Sequence, residues 1–498
     1  MSRPVSTGLN FMICTPFTKK VLSLFFLTAL VVYNNKVKAQ ETIYSYQDLS
    51  HVAYAKQRDS LKKAWVCPTL YSDKATQKKY KELWDNRTEF ITTAISNKNY
   101  VYEKEVADYL NAIITDMAKG NPKLVDKKPL ILLDRSAAVN AYAVGSNLIA
   151  INLGLIHFAE SREEIALIIA HELAHNILQH PENSIKEKAE WLTSDAYKNS
   201  VNAVLDSKYE RFSRLKKVME GYSFNRSKHN RYHESDADSL AIVLVKNSKI
   251  GFDARFFLRL DSSDMQYKQE LKKPVKDYFV TYNLAFEDWW TVRKTKGLST
   301  RNYNFKDTTG LQDSLKTHPD CVVRYTNSVK HSDAGLTLTP IPAAIKEKTS
   351  RIIIWNLFDN LNLTACLYRV LLEKDNGNKD AWYDFMLHNV IAGLDYSDKQ
   401  LNRFNAIGIM PKEYISKNYY ELQNMLEQIP KGSLEHYFTS FQRLDFWQNV
   451  STDAKALKTL MLSLNAADND DKKALAAKTF ITNNNASMYC EFADHFKK

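Results

Sequence analysis

The chain has 498 residues, enough for two to three domains, and its 44% hydrophobic and 25% charged residues are typical of globular proteins. The chain has only 13 glycines, 12 prolines and 5 cysteines. These low counts exclude a collagen-like, low-complexity or disulfide-dense chain, and the scarcity of turn-forming residues favours a mostly helical one. The net charge of +11 falls to +6 without the first 39 residues, too weak a field to indicate a nucleic-acid partner.

Residues 1–39 are predicted to be a secretory signal peptide. Lys19 and Lys20 precede a mostly apolar run of 13 residues, and small side chains before Gln40 indicate cleavage there. We therefore expect export to the periplasm or the extracellular space. As a helix the run extends about 20 Å, less than the roughly 30 Å of a membrane core, so an uncleaved anchor is the alternative. No later stretch is apolar for about 18 residues, so no membrane span is expected after signal removal.

The four cysteines that would remain after cleavage are widely spaced: Cys67, Cys321, Cys366 and Cys490. In an oxidising compartment they could form two disulfides, or they could stay as thiols. Because no two of them form a close pair, neither a zinc–thiolate site nor a redox site is expected.

After residue 40 the predicted elements combine helices with a small sheet. Helical periodicity covers residues 41–119, and a short apolar run at 129–134 indicates a strand. A strand–turn–strand follows over 140–156, with its turn at Gly145. The pattern predicts an α+β fold in which helices dominate.

The strongest helix is predicted over residues 161–180. Ser161 and Glu164 form a capping box ahead of an apolar face. A polar, helical stretch follows at about 181–230, and a further helix is predicted over 231–247.

A proline-containing, uncharged segment at 336–342 is predicted to link a domain over 40–335 to an all-helical domain over 336–498. The segment 363–382 loosely resembles a tetratricopeptide helix–turn–helix, but no second copy follows at a period of about 34 residues. A degenerate repeat and a generic helical domain both remain open.

The helix over 161–180 contains a histidine–glutamate–x–x–histidine motif. His171 and His175 lie four residues apart, on one helical face, so both imidazoles can reach one metal ion. Zinc accepts imidazole nitrogen and takes three protein ligands in a catalytic site. Glu172 could then accept a proton from the attacking water.

A third ligand is predicted from the next acidic cluster. Glu234 and Asp238 lie four residues apart, so one carboxylate could bind zinc while the other holds the N–H of a ligand histidine. His233 is a rival ligand. The alternative for the whole cluster is an acidic helix start that complements the helix dipole.

These motifs resemble the zinc metallopeptidase family of HtpX, BepA, Oma-type and CAAX prenyl endopeptidases (metallopeptidase family forty-eight). Order and rough spacing agree over about residues 100–335. Further similar segments are the strand–turn–strand at 140–156, Gly251-Phe-Asp-Ala254, Thr317-His-Pro319 and Arg324. The resemblance implies a zincin-like peptidase domain that belongs to a soluble, exported subgroup.

By this resemblance, one zinc ion per chain is bound by His171, His175 and Glu234, with Glu172 as the general base. Asp238 is the implied partner of a ligand histidine. His318 is the implied oxyanion donor, and a structural turn histidine is the alternative. A sheet edge is expected to offer main-chain hydrogen bonds to substrate. Its residues would be Leu148, Ile149, Ala150, Ile151 and Asn152.

The long polar insert at about 181–230 departs from the family pattern and could form a lid or plug over the cleft. We therefore expect an exported zinc endopeptidase that hydrolyses envelope or exported proteins in quality control. The alternative is a chaperone-like or peptide-binding envelope assembly factor with a latent or plugged zinc site.

Overall fold

A small mixed sheet lies among helices in the computed structural model, which describes residues 47–48, 52–97, 99–292 and 321–497. The predicted signal peptide 1–39 and His318 lie outside the described residues. The strands are β1 (Gln47–Asp48), β2 (Tyr100–Tyr102), β3 (Leu130–Asp134), β4 (Ala141–Gly145) and β5 (Leu148–Asn152). Their order is β1-β2-β3-β5-β4, and β3 and β5 form the parallel pair. The predicted α+β fold with dominant helices is confirmed.

The helices of the first part of the chain surround this sheet. They are α1 (Val52–Ala64), α2 (Lys74–Ser96), α3 (Lys104–Gly120), α4 (Leu153–Phe158), α5 (Arg162–Ile177), α6 (His180–Thr193), α7 (Asp195–Asp206), α8 (Arg211–Asn247), α9 (Arg255–Asp261), α10 (Val275–Val280) and α11 (Cys321–Ser328). Helix α3 has a fully buried apolar stripe at three-to-four spacing, as its sequence predicts.

Helices make up most of the chain after residue 340. They are α12 (Ala343–Asp359), α13 (Leu363–Asp375), α14 (Ala381–Lys399), α15 (Arg403–Ile407), α16 (Lys417–Gln428), α17 (Lys431–Phe441), α18 (Thr452–Ala466), α19 (Asp470–Asn483) and α20 (Cys490–Asp494). Cys366 on α13 is a fully buried free thiol. Across the described ranges, no helix combines the length and apolarity that a membrane crossing requires.

Buried charges join the sheet to these later helices. The Arg135 guanidinium, just after β3, pairs with Asp359 of α12 and with Glu491 of α20, at 3.0 Å each. Both carboxylates and the arginine are nearly inaccessible to solvent. Removing one partner would leave an uncompensated buried charge, which typically costs about 3–5 kcal/mol.

The start of α5 is fixed by local sequence. The Ser161 side chain accepts a hydrogen bond from the Glu164 backbone N–H at 3.2 Å. In turn, the Glu164 carboxylate accepts a hydrogen bond from the Ser161 backbone N–H at 3.3 Å. This is the predicted capping box. It sets the helical phase that places positions 171 and 175 on one buried face.

Two predictions of local structure differ from what is observed. The helix predicted over 231–247 is the second half of the longer helix α8, because no proline or strong stop signal interrupts residues 211–231. The strand Leu148–Asn152 is not a sheet edge. It lies between β3 and β4 with all five residues buried, and β4 forms the edge among the described residues. The tight turn at Gly145–Asn147 folds β4 back on the outer side of β5.

Candidate metal centre

Two histidines on α5 face each other in the interior. His171 and His175 lie one helical turn apart, and their Nε2 atoms are 3.1 Å apart. His171 is only 4% exposed. Two buried imidazoles with ring nitrogens this close are suited to sharing a cation.

Helix α8 brings a carboxylate to the same point. The Glu234 oxygens lie 3.3 Å from Nε2 of His171 and 3.5 Å from Nε2 of His175. One donor atom from each of the three residues lies within 4.8 Å of the others. The sequence-predicted ligand set is therefore brought together by two helices that pack side by side.

A second carboxylate lies behind the first histidine. Asp238 Oδ1 is 2.9 Å from His171 Nδ1, and Arg324 of α11 donates to Asp238 at 2.6 and 2.8 Å. The Arg324 guanidinium also lies over the Phe257 ring, 4.4 Å from its centroid. This series of contacts, from Arg324 through Asp238 to His171, fixes the His171 ring so that Nε2 points to Glu234.

The same contacts shift two pKa values. Burial would lower the pKa of His171, but hydrogen bonds with Asp238 and Glu234 outweigh it and raise the pKa to about 9. Burial would raise the pKa of Asp238, but the His171 hydrogen bond and the Arg324 charge lower it to about 2. Without a metal ion, a protonated His171 thus pairs with an ionised Asp238.

His180 is a site residue that the sequence analysis missed. Its Nδ1 lies 2.9 Å from Nδ1 of His175, so the second histidine is also held from behind. Burial and the nearby His233 lower the pKa of His180 to about 4, which keeps the ring neutral and able to accept this hydrogen bond. The sequence signal was Pro181, which favours the first turn of a new helix and so a break after α5. In the structure Gln179 has φ of 57°, and this turn places His180, the first residue of α6, beside His175.

His233, the rival ligand, does not join the metal-ligand cluster. Its ring stacks on His180 with a centroid distance of 4.2 Å and an interplanar angle of 11°. Helical geometry explains the outcome: neighbouring positions on α8 point in different directions, and Glu234 is the one that faces α5.

The donor cluster opens into a cleft of about 690 Å³. Glu172, buried on α5, lines this cleft together with His175 and Glu234. One wall is the edge strand β4, through Ala141, Tyr142, Ala143 and Val144. Residues of α2 and α6 also line the cleft, and Arg87 of α2 donates a hydrogen bond to the Val144 carbonyl at 3.4 Å. The cleft can therefore hold an extended chain between a sheet edge and a helical wall.

Comparison with known proteins places this site in a family. The model of peptidase family M48 matches residues 104–330, which include His171, Glu172, His175, Glu234 and Asp238. A Vibrio cholerae serotype O1 protein named as a beta-barrel assembly-enhancing protease is 29% identical over 146 residues. That match covers 28% of this chain, which spans less than a third (29%) of the relative's length. The chain therefore carries a domain of the M48 metallopeptidase family over residues 104–330.

Proposed function

We propose that this protein is a zinc-dependent endopeptidase. The observation that carries the proposal is the convergence of His171, His175 and Glu234, with Glu172 beside them in an open cleft. The M48 match supports the class of reaction. Without a bound metal ion, burying these ionisable side chains together would cost free energy of folding.

The donor set fits zinc. Two imidazole nitrogens and one carboxylate form a ligand set that zinc takes in catalytic sites, with a further position open. Asp238 and His180 hold the rear nitrogens of the two histidines, which leaves both Nε2 atoms for the metal. When bound, zinc polarises a peptide carbonyl and lowers the pKa of water to about 7.

Glu172 is the proposed general base. It follows the first ligand directly on α5, and it lines the cleft that substrate would enter. There it can accept a proton from the water that attacks the carbonyl carbon. It then donates that proton to the amide nitrogen as the carbon–nitrogen bond breaks.

The edge strand β4 is the proposed substrate strand, in place of β5. An extended polypeptide can add to an exposed sheet edge through main-chain hydrogen bonds, which are independent of its sequence. Ala141–Val144 line the cleft beside Glu172, so a strand added there passes the donor cluster. This arrangement favours unfolded or extended segments over folded proteins.

Exported or envelope proteins in quality control are the proposed substrates. The predicted signal peptide 1–39 and the name of the Vibrio cholerae relative support this setting. A peptide-binding assembly factor is the second candidate. The relative is named for enhancing beta-barrel assembly, which favours this second candidate. An assembly factor would bind its protein partners without cleaving them.

The test is hydrolysis of an unfolded protein such as casein, followed by gel electrophoresis and mass spectrometry of the products. Wild-type protein should cleave it, and Glu172→Gln should lower the rate by about 10²- to 10⁴-fold. Glu187→Gln, an exposed change on α6, is the matched control and should cleave normally. Equal rates for wild type and Glu172→Gln would contradict the mechanism, whereas binding without cleavage by wild type would favour the second candidate.

A further inference from the structure

The helical wall of the cleft has a composition of its own. Helix α2 presents Leu83, Arg87 and Phe90, which recur at helical spacing on one face. Helix α6 presents Ile185 and Lys188 in the same way. Among the described residues that line the cleft, those from these two helices are apolar, uncharged polar or basic, and none is acidic.

Phe90 stands out because 65% of it is exposed. Leu83 and Ile185 pack against a small buried cluster of Tyr80, Trp84 and Ala189, which accounts for their place in the fold. Phe90 lines the cleft and remains largely exposed. A large exposed aromatic group beside a binding cleft gains free energy only when a ligand covers it.

The edge strand β4, which lines the same cleft, determines which part of a ligand meets this ring. Side chains of an extended chain alternate between the two faces of a sheet, so every second side chain of a strand paired with β4 points the same way. Main-chain pairing gives affinity, and pockets for alternate side chains give specificity.

We propose that Phe90, Leu83 and Ile185 form a subsite for one bulky apolar side chain next to the scissile bond. The occupant is an extended polypeptide segment that carries such a residue. This inference rests on the proposed function and names its substrate class: segments that would be buried in a folded protein.

Charge sharpens this preference. Arg87 lies between the Trp65 and Trp84 rings and faces Glu182 at 3.6 Å, so its charge is partly compensated. Lys188 is half-buried at the same wall, and it forms no ion pair within the described ranges. A lysine or arginine of the substrate would be repelled here, whereas an apolar or acidic side chain would be accepted.

The experiment uses four labelled peptides that differ only at one residue beside the cleaved bond: Phe, Ala, Glu or Lys. Wild type should cleave the Phe peptide fastest and the Lys peptide slowest. Phe90→Ala should reduce the Phe-over-Ala ratio of kcat/KM by about tenfold. Lys188→Glu should shift the Lys-over-Glu ratio by about tenfold toward lysine.

Two exposed changes outside the cleft serve as controls. Leu475→Ala removes a side chain that is 66% exposed on α19, and Lys208→Glu reverses a charge in the turn before α8. Both should keep the wild-type order of peptides. A Phe-over-Ala ratio of kcat/KM that is the same in wild type and in Phe90→Ala would overturn the inference while leaving the peptidase intact.

Measurements of peptide binding distinguish a failure of the proposed subsite from a failure of the proposed peptidase function. If wild type cleaves none of the four peptides, fluorescence anisotropy measures their affinity for Glu172→Gln. Tighter binding of the Phe peptide, lost in the double variant with Phe90→Ala, would support the subsite although the peptidase assignment had failed. Equal affinities for all four peptides would refute the subsite.

Discussion

Asp238 Oδ1 lies 2.9 Å from Nδ1 of His171, on the side of the ring that faces away from Glu234. Arg324 holds the same carboxylate with two hydrogen bonds, so the aspartate is fixed before any metal arrives. Such a partner sets the tautomer and orientation of a ligand histidine. The His171 side of the candidate metal centre is therefore organised by residues on three helices, α5, α8 and α11.

Asp238→Asn tests this organisation. The amide keeps the size of the side chain but loses the charge, so zinc affinity should fall about 10- to 100-fold. Competition with a chromogenic chelator measures the affinity. Asp236→Asn, an exposed change on the same helix, is the control and should bind zinc like wild type. Equal affinities in the two variants would show that Asp238 does not position the ligand.

His180→Ala tests the contact behind the second histidine. Loss of the 2.9 Å contact frees the His175 ring to rotate, so zinc affinity should fall about tenfold. His180→Asn should restore part of that affinity because its amide can accept a hydrogen bond. His233→Ala removes the stacked ring without touching a ligand. The role of His180 would be refuted if His180→Ala and His233→Ala had the same affinity as wild type.

Gly145→Ala tests the shape of the proposed substrate strand. Gly145 has φ of +92°, and a Cβ there would lie 2.5 Å from Glu182 Oε1 and 2.8 Å from Arg87 Nη1. We expect a loss of about 1–3 kcal/mol in the free energy of unfolding and a raised KM. Gly335→Ala is the matched control because Gly335 also has positive φ but no neighbour within 4 Å of its Cβ. A larger loss in Gly335→Ala would contradict this account.

His388→Gln tests an acid-sensitive group on α14, outside the candidate metal centre. Burial lowers the pKa of His388 to about 3 from its usual 6.5, so only the unfolded chain takes up the proton between those values. The free energy of unfolding should therefore fall by up to about 1.4 kcal/mol per pH unit as pH drops from 6.5 to 3. The free energy of unfolding, measured by urea denaturation at several pH values in this range, should change less steeply with pH in His388→Gln. Identical slopes would show that His388 is not responsible.

The sequence predicted the cluster of His171, His175 and Glu234 better than its surroundings. The spacing of His171, Glu172 and His175 is a local property of one helix, and the capping box at Ser161 sets its start. The acidic cluster could be proposed from its chemistry, but the choice of Glu234 over Asp238 and His233 as the third ligand rested on the family resemblance. The placement of His180 could not be predicted, because it depends on how sharply the chain turns at Gln179.

The order of the strands in the sheet could not be predicted from the sequence either. The apolar run at 148–152 predicts a strand, but the same run suits an edge or an interior position when the neighbours are unknown. Its five buried side chains match the interior place that it occupies. The ion pairs of Arg135 with Asp359 and Glu491 join residues more than 200 positions apart, which no local pattern encodes.

The zinc content of the purified protein tests the central claim most directly. Elemental analysis of wild type, Glu172→Gln and Glu234→Ala should give one zinc per chain in the first two and a clear loss in the third. Circular dichroism would verify that Glu234→Ala is folded. Absence of zinc from folded wild-type protein after incubation with equimolar zinc, or full zinc occupancy in Glu234→Ala, would contradict the proposed centre.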